Sequence, residues 1–250
     1  MPNDVLAIGG KNVPYRLEKG KSQRIGLRFR NAELVVVTPD GKWHPEAEVF
    51  IQEKSAWIVK HYSRLQEAER NKANYLAGLH RVAMLHGRLR SVHFTLGAPD
   101  RRFQLAGDSI LLKIPEHQEP RGAYRLELIS AGLSQYARHY LAKRLAHWCT
   151  LTELQYNRLR IKMLRSRWGS CSQKQNINLN FHLVQIPEAL SDYVIVHELM
   201  HLHEMNHSPR FWRWVEHYLP DYRSRRTQLK DYQWLLGLYA SENAATVSAT

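Results

Sequence analysis

Residues 197–201 read His-Glu-Leu-Met-His, and no other run in this 250-residue sequence is so well equipped for chemistry. On a helix of about 3.6 residues per turn, side chains four apart leave one face roughly a turn apart, so His197 and His201 can hold a single cation between two imidazoles. Glu198 sits about 100° around from His197, beside such an ion, where a carboxylate can take a proton from an activated water. The neighbours argue against coincidence. Tyr193, Val194, Ile195, Val196, Leu199 and Met200 make the segment apolar nearly all round, hence buried. Three ionisable groups there, neither paired nor metal-bound, would cost on the order of several kcal/mol.

Zinc in a catalytic site takes three protein ligands and keeps a position for water, so a third ligand is needed. His207 follows His201 by six residues and precedes Ser208, so a chain leaving the helix near Asn206 can swing its imidazole back; asparagine tolerates the left-handed backbone such an exit can require. Glu204 is the rival: three residues past His201, it shares the ligand face if the helix continues. His203 lies about 200° around from His201 and faces away.

These residues need a frame. Val13 to Pro39 alternates in the strand manner, with a turn at Asn31-Ala32-Glu33, and a helical stretch follows from near Pro45 to about Asn71. Residues 78–115 return to short strand-like runs, with a hairpin step at Gly107-Asp108. The segment 117–122, His-Gln-Glu-Pro-Arg-Gly, reads as a linker. From Tyr124 the chain is helical, with Leu133, Ala137, Leu141, Leu145 and Trp148 forming one apolar stripe. Two strand candidates over 158–163 and 176–181 form a hairpin-like pair ahead of the key helix, which is expected from about Pro187 to about Met205. Ser208 and Pro209 then cap and open a further helix carrying Phe211, Trp212, Val215 and Leu219, and a last helix covers 221–239. The expected class is α+β. A β-rich N-terminal region with one long helix, 1–116, precedes a catalytic region, 123–239, and a disordered tail, 240–250. No internal repeat is visible.

The bulk numbers bound the function. A net charge of +13 favours polyanionic company such as nucleic acid or nucleotides through a basic surface. Two cysteines, Cys149 and Cys171, are too few for a disulfide scaffold and point to a reducing, cytoplasmic setting. No segment approaches the roughly 18 uninterrupted apolar residues of a membrane span.

The run Ser-Arg-Trp-Gly-Ser-Cys-Ser at 166–172, the strand Ile-Asn-Leu-Asn at 177–180 and the stretch from Asp192 to Trp212 around the two histidines resemble the YgjP-like metallopeptidase family, a relative of SprT-type zinc proteases. The resemblance implies a small zincin-like catalytic fold, with Zn2+ on His197, His201 and His207 and Glu198 as catalytic base. It fits metzincins less well, because Glu204 stands where they carry glycine.

Arg167-Trp168-Gly169-Ser170-Cys171 admits two readings. It is either a turn lining the substrate cleft, with Gly169 allowing close backbone approach, or a packed corner with Trp168 as core filler. On the first, Arg167 and Trp168 join Asn178 and Asn180 as substrate-binding residues, the strand over 176–181 offering an edge to which a peptide strand could add. The basic set Arg158, Arg160, Lys162, Arg165 and Arg167 is either a cationic strip or the solvated face of an edge strand. The leading function is a zinc metallopeptidase acting on a peptide or protein. The second is a metal-dependent nucleotide pyrophosphohydrolase, and the third a nucleic-acid-binding protein with structural zinc.

Overall fold

The computed structural model describes residues 4–30, 32–98, 102–117, 120–121 and 124–238. The expected tail, 240–250, lies outside them, as do parts of the 117–122 linker and Asn31 of the first turn. The chain is α+β, and it divides into two compact units, 1–74 and 75–250.

In the first unit, strands β1 (Asp4–Ile8), β2 (Lys11–Lys19), β3 (Gly26–Arg30) and β4 (Glu33–Thr38) form a sheet in the order β1-β2-β4-β3. The β3–β4 hairpin is the one expected from the alternation. Helices α1 (Pro45–Glu53) and α2 (Ser55–Ala77) replace the single predicted helix, with a flattened turn at Lys54 between them. Ala47, Ile51, Ile58 and Tyr62 bury a helix-spaced stripe in one cluster with Leu34 and Val36.

The second unit opens with β5 (Val82–Leu85), β6 (Arg88–Thr95), β7 (Arg102–Ala106) and β8 (Ser109–Lys113), ordered β5-β6-β8-β7. Both sheets therefore share one topology, two antiparallel outer pairs around a parallel central pair, β2 with β4 and β6 with β8. This internal repeat was not legible as sequence similarity, because only strand order and direction are shared.

Helix α3 (Tyr124–Thr152) buries the predicted stripe Leu133, Ala137, Leu141, Leu145 and Trp148, and each of the three leucines contributes roughly 1.5–3 kcal/mol. It runs into β9 (Arg158–Lys162), β10 (Gly169–Cys171) and β11 (Asn176–Asn180), which form a sheet in the order β10-β11-β9. Here the structure corrects the hairpin expectation. The strands at 158–162 and 176–180 are parallel, and short β10 pairs antiparallel on the other side of β11. The strand at 176–180 is thus central and has no free edge. Alternation along a strand reveals its faces but not its neighbours.

Helix α4 (Glu188–Met200) is buried at nearly every position. Three contacts seat it. Ser191 Oγ donates to the Leu183 carbonyl at 2.5 Å, Arg144 of α3 grips Asp192 with two hydrogen bonds of 3.0 and 2.5 Å, and Tyr140 bonds Glu188. Ahead of it, the His86-Gly87 turn donates its amides to the carbonyls of Val184 and Gln185, holding the entry loop. The chain ends in α5 (Pro209–Tyr218), α6 (Tyr222–Leu229) and α7 (Leu235–Leu238), so the expected 221–239 helix is broken at 230–234. No described helix is long and apolar enough to cross a membrane.

His182, in the turn between β11 and α4, is fully buried with its ring against Gln185 Oε1 at 2.5 Å, and burial pulls its pKa down to about 4. The unfolded imidazole takes its proton near 6.5, the folded one only near 4. Between these values the unfolded chain binds more protons, so stability falls as pH drops through that window, by at most about 3 kcal/mol, and is untouched by this group above it. Urea unfolding of His182→Leu, measured against its own value at pH 7, should lose less stability on going to pH 4.5 than the wild type does.

Candidate metal centre

His197 and His201 lie one turn apart at the end of α4, with ring centres 5.0 Å apart. The helix stops at Met200, earlier than expected, and tightens as the amides of Leu202 and His203 bond to the carbonyls of Leu199 and Met200. The chain then reverses. Asn206 assists through its side chain, whose Oδ1 accepts from the Ser208 amide at 3.0 Å; its backbone is not left-handed. Ser208 caps α5 by accepting from the Phe211 amide, and His207 is thereby returned to the pair.

The three imidazoles offer one nitrogen each within 4.8 Å of one another. His197 Nε2 and His207 Nε2 are 3.0 Å apart. His201 turns Nδ1 to the Glu204 carbonyl at 3.1 Å, which leaves Nε2 for the cluster. Phe211 packs against all three rings at 4.6–4.9 Å and limits their freedom. Burial, and then the neighbouring His201, His207 and Arg226, depress His197 to about 3; burial also lowers His201. His197 and His201 are therefore held as neutral rings with a lone pair to give. Three converging imidazole nitrogens, two of them nose to nose, fit a borderline-soft divalent cation.

Of the rivals, Glu204 gives the site its carbonyl, and its carboxylate is not in the cluster. His203 stacks on Trp214 at 4.6 Å, away from the pair.

Glu198 is only 6% exposed, and burial raises its pKa to about 8 against the pull of Arg167 and of the nearby Cys171 amide. That amide belongs to β10. Because Trp168 and Ser172 bond inward to β11, while Ser170 is paired with Asn178, alternation turns Gly169 and Cys171 to the outer edge. A Cβ on Gly169 would come within 2.7 Å of Glu198 Oε1 and 2.8 Å of its Cγ, so glycine is required for the carboxylate to lie against the strand. The close approach expected at this glycine is made by Glu198.

The remaining predicted residues separate. Arg167 is exposed and close enough to act on Glu198. Trp168 is 7% exposed and belongs to the core. Asn178 bonds Ser170 across the strands. Asn180 is fully buried, donating to the carbonyls of Leu164 and Arg167 and accepting from the His182 amide, so it brackets the loop that leads into β10. Arg158, Arg160 and Lys162 are exposed on edge strand β9. The Cys171 thiol is pushed up to about 11 by burial and by Glu198, which keeps it protonated and a poor nucleophile.

Two site residues were missed. Tyr193 stands one turn before His197, 5.9 Å from its ring, and burial raises its pKa to about 12; the four-residue spacing carried that signal. The Cys171 amide carried none, since only strand register reveals it.

The family model described as "YgjP-like, metallopeptidase domain" matches residues 23–232, most of the chain. The chain belongs to the YgjP-like metallopeptidase family. Among solved structures, the metallopeptidase zymogen abylysin of Pyrococcus abyssi is 26% identical over 35% of this chain and 90% of that one, with a TM-score of 0.33, a likeness too limited to argue from. No curated protein matches the chain. As a YgjP-like metallopeptidase-family member the protein is a metallohydrolase, and membership implies a metal cofactor that the three histidines could hold.

Metal analysis separates the third-ligand rivals in this YgjP-like site. His207→Ala should lose stoichiometric metal, whereas Glu204→Ala, which keeps the carbonyl, should retain it; the reverse pattern would refute His207.

Proposed function

We propose that this YgjP-like protein is a zinc peptidase in which His197, His201 and His207 hold the ion and Glu198 is the general base. The observation that carries the reading is the buried Glu198 carboxylate, lying against Gly169 of an edge strand and placed next in sequence to the first of three converging imidazoles. Bound zinc would supply a Lewis acid for the scissile carbonyl and acidify a water. Glu198 takes the water's proton and passes it to the leaving amine; the burial that lifts its pKa is what gives it affinity for that proton. Arg167 and the Cys171 amide pull toward the charged form, against the burial. β10 is the edge on which an extended peptide would lie, since β11 is enclosed on both sides. Gly169 offers both outward backbone groups, and Cys171 its carbonyl, for such pairing.

A second reading, hydrolysis of nucleotide phosphoanhydrides, is favoured by one observation: the cleft beside His207 is lined by Arg213, Arg223 and Arg226, a charge set suited to phosphates. A structural zinc is less well supported, because among the described residues the cluster has three ligands rather than the closed four. Two free cysteines fit our placement of the protein in the cytoplasm.

Glu198→Gln should bind zinc as the wild type does and lose at least about 100-fold in turnover of an unfolded-protein substrate. Retained activity would sink the mechanism, and turnover of nucleoside triphosphates without peptide cleavage would favour the second reading. Gly169→Ala should keep its metal yet lose roughly ten- to a hundredfold in kcat, because the new methyl displaces Glu198. Full activity in that variant would show that the carboxylate need not lie against β10.

A further inference from the structure

Next to His207 lies a cleft of about 460 Å³ that the proposed mechanism leaves unused, lined by Pro209, Trp212, Arg213, Glu216, Tyr222, Arg223 and Arg226. Its wall continues the histidine cluster as a ladder of rings. His207 stacks on Trp212 at 5.7 Å and 24°, and Trp212 stacks on buried Tyr222 at 5.3 Å and 15°. Guanidinium groups lie on this ladder, Arg226 over Trp212 at 4.9 Å and Arg223 over Tyr222 at 5.3 Å. Such contacts hold an arginine over a ring without consuming its hydrogen-bonding edge. Arg223 is loosely compensated by Glu216 at 3.9 Å. Among the described residues neither Arg213 nor Arg226 is paired with a carboxylate. Two uncommitted forks thus face a cleft whose rim is one of the three histidines and whose wall is partly aromatic.

We propose that this cleft is a carboxylate subsite: Arg226 and Arg213 receive a carboxylate of the peptide substrate close to the bond that is cut, making the enzyme selective for acidic peptides. The inference rests on the peptidase reading. Planar forks match a carboxylate in two parallel hydrogen bonds, and the opening is of a size for an Asp or Glu side chain or a chain-terminal carboxyl. A lysine or arginine side chain in the same position would meet like charge, so the subsite discriminates by repulsion as well as by attraction.

Matched peptides that carry Asp or Glu, or Asn or Gln, at each position flanking the cut, with free or amidated C-termini, are given to the zinc-loaded wild type and to the R213A/R226A double variant. Their binding to the same proteins carrying E198Q is measured by calorimetry. The acidic peptides should be cut with kcat/KM about tenfold above their amide twins, as a charge-assisted contact at an exposed site allows, and that ratio should fall to about one in the double variant. Amidation abolishes the preference if the terminal carboxyl is the source and leaves it if a side chain is. If peptides are cut but the twins go equally fast and bind equally, the subsite is refuted and the peptidase reading stands. If nothing is cut yet acidic peptides bind E198Q in an arginine-dependent way, the arginines are a carboxylate site, but the peptidase reading falls and the substrate selectivity with it. Arginine-dependent binding of a nucleoside triphosphate with none of acidic peptide would overturn the carboxylate assignment.

Discussion

The rest of the structure depends on keeping a helix that is apolar on nearly all sides neutral while it carries chemistry. Through α4, from Leu190 to Met200, only His197 is not fully buried. Charging an isolated group in that setting costs on the order of several kcal/mol, so His197 and His201 stay unprotonated and Glu198 holds its proton more tightly than an exposed carboxyl would. The same burial therefore produces both halves of the proposed site: rings with lone pairs to give, and a carboxyl with appetite for a proton. On an exposed helix the same five residues would give a carboxylate with ordinary proton affinity and imidazoles that begin to take up protons just below neutral pH.

Such a helix must be held accurately, and the polar contacts that do so are placed away from the reacting groups. Asp192 and Glu188 face α3, Ser191 faces the entry turn, and Asn180 spends its amide on the loop before β10. A partly buried ion pair such as Arg144–Asp192 is a weak source of net stability, but its two hydrogen bonds tie the two helices it joins in one register. Register matters here because the Cys171 amide and the Gly169 clearance are both defined against Glu198.

How much of this the sequence disclosed follows the range of each interaction. The spacing within 197–201, the Ser208 cap and the α3 stripe are local or periodic, and all were legible. The return of His207 was legible as a likelihood of chain reversal, though its means was not: the reversal rests on an Asn206 side-chain bond rather than on a left-handed backbone. What stayed hidden was strand order. Arg158–Lys162 and Asn176–Asn180 alternate in the same way whether they form a hairpin or a parallel pair, and nothing local says that three residues at 169–171 would take the outer place. Asn180 was misjudged for the same reason, since an asparagine on a central, enclosed strand has backbone to serve and no substrate to meet. The shared topology of the two four-stranded sheets was hidden too, because different side chains satisfy one strand order.

Strand order also explains why Arg167-Trp168-Gly169-Ser170-Cys171 did not yield to a choice between packed corner and cleft lining. It is both, residue by residue. Trp168 goes inward to the core, Arg167 stays in solvent within electrostatic reach of Glu198, and Gly169 and Cys171 turn outward along the edge. On the peptidase reading, the strand that fixes the base also receives the substrate backbone, so any slip of β10 against β11 would shift both together. A peptide pairing with Gly169 would then be placed against Glu198 by the same ladder of hydrogen bonds that positions the carboxylate. A three-residue strand suffices for this, because its task is to set two distances rather than to stabilise a sheet.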